Sequence, residues 1–483
     1  MYLGLDLGTS GVKALLMDAG QKIIGSGHGS LDISRPHHGW SEQDPADWIR
    51  ATEEAVGALK ASYPGELAAV RGIGLSGQMH GATLLDAGGE VLRPCILWND
   101  TRSFAEAARL DADPRFRNIT GNIVFPGFTA PKLAWVKANE PAVFARVAKV
   151  LLPKDYLRLW LTGEHVSEMS DAAGTSWLDV GGRRWSTELL AATDLDEAHM
   201  PHLVEGTERT GDLRADLASS WGMGGGVTVA GGAGDNAASA CGMGTVTPGA
   251  AFVSLGTSGV LFAANGAYLP NPESAVHTFC HALPQAWHQM GVILSATDSL
   301  NWLSGITGRD AAELTREMGG ELRAPSGVTF LPYLSGERTP HNDAAIRGSF
   351  TGLAHAVDRA GLTQAVLEGV AFAFRDSLEA LAKAGTTLTR VTAIGGGSRS
   401  RYWLKSIATA LGLPVDIPAD GDFGAAFGAA RLGLIAAESA APLEVCTPPA
   451  TAETVEPVAA LAGAYDEAYQ RYRKLYPAIR GTM

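Results

Sequence analysis

One six-residue phrase occurs twice in this chain. DLGTSG at 6–11 returns as SLGTSG at 254–259, and each copy follows one short apolar run and precedes another, VKALLM in the first case and VLFAA in the second. Apolar runs broken by a glycine turn predict β-hairpins. Two equivalent hairpins about 250 residues apart predict a duplicated α/β unit, residues 1–245 and 246–483, with a cleft between two lobes. Three further segments share the grammar: VRGIGLSGQMHG at 70–81, VTVAGGAGDN at 227–236 and VTAIGGGSRS at 391–400. Each is expected to end a buried strand in a loop with exposed backbone N–H groups.

With 46% apolar and 18% charged residues, the composition is that of a folded globular chain. The net charge of -13 opposes the footprint of a nucleic-acid or anionic-membrane binder, although local phosphate sites fit within it. Cys95, Cys241, Cys280 and Cys446 are scattered without a CxxC, which predicts neither a zinc ribbon nor a disulfide framework. An acid at position 6, with no basic segment leading into an apolar one, predicts no secretory signal, and a reducing cytoplasm is the expected location. Residues 236–272 carry no charge, but Gly, Ser, Thr, Asn and Pro interrupt them, so buried sheet and turns are expected there rather than a membrane span.

Helical spacing is plainest at 358–385. Leu362, Val366, Val370, Phe374, Leu378 and Leu381 recur every three or four residues between an N-capping Asp358 and a terminating Gly385. At 421–434, Gly424 and Gly428 stand four apart among alanines, which suits a helix pressed against another backbone. Residues 436–454, rich in Ala, Pro and Thr, read as a surface connection to a last helix ending near Tyr476.

The P-loop, HExxH and GxSxG signatures are absent, and GxGxxG fails because the first glycine turn leads into a strand rather than a helix. That turn nevertheless offers what a magnesium-bound triphosphate needs. Asp6 at the strand end would hold the metal directly or through water, while the turn at Gly8 lets backbone N–H groups approach phosphate oxygens. Thr9 and Ser10 add hydroxyls, Lys13 adds a cation, and Gly256, Thr257 and Ser258 repeat the turn in the second half. GAGDN then sets an acid after a buried strand. Asp235 is the candidate base for a hydroxyl attacking a γ-phosphate, with Asn236 beside it as a substrate donor; the alternative is an Asx turn capping the strand.

SGQMHGATLLD at 76–86, ILWNDTR at 96–102, FPGFTAPKLAWV at 125–136, LLPKDYLRLWLTGE at 151–164, SDAAGTSWLDV at 170–180 and FLPYLSGERTPHND at 330–343 follow in order. Through these runs essentially the whole chain resembles the FGGY carbohydrate kinases, of the actin and hexokinase-like superfamily. The resemblance implies a two-lobe ribonuclease H-like α/β fold with a mixed five-stranded sheet in each lobe, sugar deep in the cleft and MgATP between the lobes. By position it implies that Asp6, Thr9 and Lys13 serve metal and phosphates, that Asp6 and Asp235 hold Mg²⁺, and that Asp235 is the base. Gln78, Met79 and His80 would line the sugar pocket where glycerol kinases carry an Arg and Glu pair, which disfavours glycerol. His80 is expected to donate to a ketose that Asn236 and Asp235 hold from the other side, and Trp98 to pack on its C–H groups. Gly395 and Gly396 would lie against adenosine, with Arg399 where the family often has an amide. Glu337, Arg338, His341 and Asp343 are read as interlobe scaffolding that reaches the cleft, and none of them as catalytic.

Within the family the runs most resemble kinases of the ketose D-xylulose, which implies ATP-dependent phosphorylation at its C5 hydroxyl. L-Ribulose, D-ribulose, L-fuculose and arabinitol compete, because one inverted hydroxyl shifts pocket energetics by only about 1–3 kcal/mol. An actin-like or chaperone-like ATPase would use the same turns without the polar QMHG and GDN segments; an inactive sugar sensor is disfavoured by intact Asp6 and Asp235. The expected partners are a sugar and MgATP, with no nucleic acid and no membrane, and a homodimer is the commonest closed assembly for such a chain.

Overall fold

Both glycine phrases close antiparallel hairpins in the computed structural model, which describes residues 1–419, 421 and 423–482. In the first, β1 (Tyr2–Leu7) pairs with β2 (Gly11–Met17), with Asp6 opposite Lys13. β3 (Ile23–Ser30) extends the meander, and β4 (Gly72–Gly77) joins the other edge of β1 in parallel. β5 (Arg209–Asp212), β6 (Thr228–Ala230) and β7 (Ala233–Gly234) complete a sheet ordered β5-β6-β4-β1-β2-β3, with β7 also on β4. The second sheet holds β8 (Ala251–Leu255), β9 (Gly259–Asn265), β10 (His277–Cys280), β11 (Trp287–Ile293), β12 (Val391–Ile394), β13 (Val415–Pro418) and β14 (Thr451–Val455). Its order is β10-β11-β9-β8-β12-β13-β14.

The pairing repeats between the lobes. β3-β2-β1 and β11-β9-β8 are antiparallel; β1-β4-β6 and β8-β12-β13 are parallel; β5 and β14 then close each run antiparallel. The expected five-stranded unit is thus present twice, but each sheet has seven strands among the described residues because short strands are added: β5 at an edge and β7 on β4 in the first, β10 and β14 at the edges of the second. β1 and β4 are buried almost throughout, as their apolar and glycine-rich sequences require of parallel strands covered on both faces.

Helix α1 (Pro45–Ser62), capped by Asp44, covers one face of the first sheet against β3. α2 (Thr129–Asn139), α3 (Pro153–Thr162) and α4 (Asp235–Met243) carry groups described below. Residues 236–243, expected as sheet and turns, are therefore helical: alanines favour the helix and Gly244 stops it at φ +67°. In the second lobe, α5 (Thr297–Thr307) abuts the second glycine turn. α6 (Arg359–Lys383) starts where Asp358 accepts the Gly361 N–H at 2.9 Å, as predicted. Its middle is buried on nearly every side, beyond simple amphipathicity, because it lies between β11 and α7 (Arg401–Leu411).

α8 (Ala425–Glu438) crosses back to pack on β1, β4 and α4 of the first lobe. A Cβ on Gly4 would lie 1.8 Å from the Ala426 carbonyl, one on Gly74 1.8 Å from that of Ala429, and one on Gly428 1.8 Å from that of Ala238. The helix is held backbone to backbone on both sides, as its glycine spacing predicted. Beyond it, residues 436–454 are more than a surface connection, since they include the edge strand β14. α9 (Ala462–Arg480) runs past Tyr476, with Pro477 inside its end. Among the described residues, no helix is long and apolar enough to cross a membrane, and the four cysteines are free and buried.

Candidate active site

Asp6 and Asp235 come to the same end of the first sheet. Asp6 and Ala233 are both register partners of Ser76 on β4, one from each side, and Asp235 opens α4 two residues after Ala233. Asp235 Oδ1 accepts from the Asn236 backbone N–H at 2.7 Å and from Asn236 Nδ2 at 2.9 Å. Among the described residues, nothing hydrogen-bonds its Oδ2. Burial, and after it the like charge of Asp6, pushes Asp235 up to about 6. One oxygen of this carboxylate is fixed by its neighbour, and the other is left for a ligand.

The first glycine turn is tied to the segment at 76–86 through Thr9. Its hydroxyl donates to Gln78 Oε1 at 3.2 Å and accepts from the Trp98 indole N–H at 3.0 Å. Gln78 is buried and its amide also donates to Gln43 Oε1 at 2.9 Å, while Gln43 Nε2 donates to the Thr9 carbonyl at 2.7 Å. Gln43 therefore anchors the turn, a role that nothing in its sequence surroundings signalled. Trp98 is 47% exposed, so it stands over the cleft rather than in a core. Ser10 is exposed beside Thr9, and Lys13 lies across the hairpin from Asp6.

Met79 is buried, and a Cβ on Gly234 would lie 3.0 Å from its Sδ, so it packs directly beneath the approach to Asp235. His80 adopts φ +70° and stacks on Phe128 at 4.5 Å. Its backbone carbonyl is gripped by Lys132 Nζ at 2.7 Å and Thr129 Oγ1 at 3.2 Å, both from α2. Burial pushes the imidazole down to about 3, so it is neutral at pH 7. Its Nδ1 lies 2.8 Å from the Gly174 carbonyl, which can only accept, so the proton resides on Nδ1 and Nε2 presents a lone pair. His80 thus faces a ligand as an acceptor, where the sequence reading expected a donor.

In the second lobe, the carbonyls of Gly256 and Thr257 accept from the backbone of Thr297 at 3.0 Å and Ala296 at 2.8 Å. The Thr257 and Ser258 N–H groups, trans to those carbonyls, point away from α5. Gly395 takes φ +91°, and a Cβ there would lie 2.7 Å from the Leu255 carbonyl, which sets the loop after β12 against β8. Gly396 faces open space. Arg399 lines both a cavity of about 750 Å³ with Leu300, Asn301 and Gly396, and a second of about 670 Å³ with Ser239, Gly395 and Pro418.

Residues 1–242 match the N-terminal domain of the FGGY family of carbohydrate kinases, and residues 251–437 match its C-terminal domain. The chain belongs to this family. The xylulose kinase of Escherichia coli K12 is 49% identical over 488 residues, covering 100% of each chain. Among solved structures, a xyloylose kinase from Brucella ovis is 71% identical with a TM-score of 0.99, covering 100% of both chains. The xylulose kinase of Rhodospirillum rubrum is 30% identical with a TM-score of 0.93, covering 100% of this chain and 99% of its own. Plasmodium falciparum glycerol kinase with ADP shares the fold at 18% identity, with a TM-score of 0.88 over 97% of each chain. The duplicated sheets are accordingly the two lobes of the ribonuclease H-like, actin and hexokinase-like fold.

Two charged groups near the cleft of this carbohydrate kinase lie in runs that sequence reasoning quoted without assigning them. Lys132, fully buried, also donates to the Gly127 carbonyl at 2.6 Å, and burial pushes it down to about 7. Lys154 on α3 is fully buried, 2.8 Å from Asp155 and 3.5 Å from both Glu168 and Asp171. Burial raises Asp171 well above the usual carboxylate range, opposed by Lys154 and reinforced more weakly by Asp235. The runs signal neither cluster in full: Asp155 adjoins Lys154 and Gly127 lies five residues before Lys132, but Glu168, Asp171 and His80 come from other segments.

Proposed function

We propose that this carbohydrate kinase transfers the γ-phosphoryl group of ATP to the C5 hydroxyl of D-xylulose. The observation that carries the reading is Asp235: half-buried, held by Asn236 through Oδ1 and open at Oδ2, beside Asp6 and the first glycine turn. A carboxylate so held is suited to accept the hydroxyl proton as the oxygen attacks phosphorus. Full-length similarity to a xylulose kinase at 49% identity supports D-xylulose over the other ketoses and polyols.

In this reading, Asn236 fixes the base, His80 Nε2 accepts from a sugar hydroxyl, Met79 and Gln78 shape the pocket floor and Trp98 covers the sugar. Thr9, Ser10 and Lys13 from one lobe and Gly256 and Thr257 from the other receive the phosphates. Gly395, Gly396 and Arg399 receive adenosine, so the sugar site and the first phosphate turn fall in residues 1–245, and the second phosphate turn and the nucleotide site in 246–483. Mg²⁺ fits the donor set: Asp6 and Asp235 are electrostatically coupled carboxylates at one sheet end, the oxygen ligands that a hard cation with few protein ligands takes. Bound there through Asp6 and Asp235, Mg²⁺ would neutralise phosphate charge. Lobe closure would exclude water, and incomplete closure is expected to leave slow ATP hydrolysis without sugar. Four free cysteines accord with a cytoplasmic enzyme.

The test is ADP release with MgATP alone and with D-xylulose, L-ribulose, D-ribulose, L-fuculose, arabinitol or glycerol. D-Xylulose is expected to give the largest stimulation. Stronger stimulation by another sugar would move the substrate, and a rate indifferent to every sugar would overturn the kinase reading.

The grip on His80 yields a second expectation. Lys132→Met removes one hydrogen bond from the His80 carbonyl, in the loop that carries the imidazole, and a second from the Gly127 carbonyl, each of the order of 0.5–3 kcal/mol. The KM for sugar should rise about tenfold or more, with a smaller loss in kcat. Equal loss in both, or none in KM, would show that the loop holds without it.

A further inference from the structure

His80 and Trp98 line a cavity of about 670 Å³ whose opposite wall comes from the second lobe, through Leu294, Glu337 and Arg338. Arg338 is half-buried, donates to His277 Nε2 at 3.2 Å and lies 4.4 Å over the ring of Phe125 from the first lobe. No carboxylate forms an ion pair with it among the described residues. Burial pushes the adjacent Glu337 up to about 8, which favours its protonated form near neutral pH. Glu337 Oε1 accepts the Leu294 N–H at 3.0 Å and the Arg338 N–H at 2.8 Å, whereas its buried Oε2 has no partner. An unneutralised guanidinium and a partnerless carboxyl oxygen on one wall of a cavity are unmet demands that a ligand would satisfy.

We propose that Arg338 and Glu337 form the subsite for the C1–C2 end of the sugar, and that this subsite also takes a carboxylate at C1, making five-carbon aldonates ligands of the protein. The inference rests on the kinase reading above in one respect: a sugar that meets Asp235 with its C5 hydroxyl and His80 along its chain reaches this cavity through His80, which lines it. Guanidinium N–H groups only donate, and a ketose carbonyl only accepts. A carboxylate accepts two such bonds with charge assistance, which a polyol hydroxyl cannot match.

D-Xylonate keeps the C3 and C4 configuration of D-xylulose and carries the carboxylate; xylitol carries a hydroxyl in its place. Against D-xylulose, D-xylonate is expected to inhibit at least about tenfold more tightly than xylitol, a factor that corresponds to one charge-assisted contact. Arg338→Met should bring that ratio to about one and raise the KM for D-xylulose. A wild-type ratio near one, or a ratio kept in Arg338→Met, would overturn the subsite. Should Arg338→Met fail to give a thermal midpoint raised by MgATP, Arg338→Lys decides. Lysine keeps the charge without the fork, so an intermediate ratio supports the proposal and an unchanged one overturns it. Calorimetric binding of D-xylonate separates this inference from the kinase reading, because it needs no turnover. Arg338-dependent binding without sugar-stimulated ADP release would keep the subsite and discard the substrate; the reverse pattern would do the opposite.

Discussion

Asp235→Asn is expected to lower kcat for D-xylulose by about 10²–10⁴-fold, the range for a lost general base. Asparagine keeps the volume and can still meet Asn236, so sugar binding should survive, seen as D-xylulose protection against thermal unfolding. The pH dependence carries the same claim. A base must be ionised, and both burial and Asp6 favour the protonated form, so kcat/KM of the wild type should rise with pH and level off above about 6. A bound cation favours the ionised form and moves that inflection lower, so higher Mg²⁺ should extend activity toward acid. The variant should lack the inflection altogether. Residual activity within about tenfold of wild type, with an unaltered profile, would remove Asp235 from the role of base.

The largest effect on stability is expected at Gly428. A side chain there would meet the Ala238 carbonyl at 1.8 Å, and that oxygen belongs to a helix backbone that cannot swing aside. Gly428→Val should cost about 3 kcal/mol or more, which for a lobe of this size lowers Tm by roughly 6–12 °C. Gly57, exposed in the interior of α1 with nothing near its would-be Cβ, gives the contrast. Gly57→Ala should stabilise by about 0.5–1 kcal/mol through helix propensity. Scanning calorimetry on the pair decides it: a Gly428→Val protein that melts with the wild type would show that α8 can shift away from α4.

The hairpins, the α6 cap and the glycine spacing of α8 were legible because each is written in residues close in sequence, although the backbones that α8 meets lie far along the chain. Strands β5 and β14 were not, since edge strands exposed along most of their length carry no apolar alternation; only Val455 of β14 is buried. The end of α9 was set too early at Tyr476, since a proline near a helix end need not stop it. Asp235, Asn236, His80 and Trp98 were picked out as candidates through motifs. The hydrogen-bonding sense of His80 was not, because it is dictated by Gly174, 94 residues away. Lys132 and Arg338 stood in quoted runs, yet Lys132 matters through a carbonyl 52 residues away and Arg338 through having no ion-pair partner among the described residues, and sequence reveals neither.

The return of α8 to the first lobe bears on how the two lobes can move. The chain passes between them after Gly244, again to reach Ala425, and once more to reach Thr451. Three covalent crossings resist twisting and sliding that a single linker would permit, and leave rotation about the line through them as the soft motion. The halves are also not separable. A fragment ending near residue 245 would expose β1 and β4 along the glycine strip, at Gly4, Gly72 and Gly74, that α8 covers with its own backbone carbonyls. Sequence duplication here records an ancestry of two units; the folded protein has made them one.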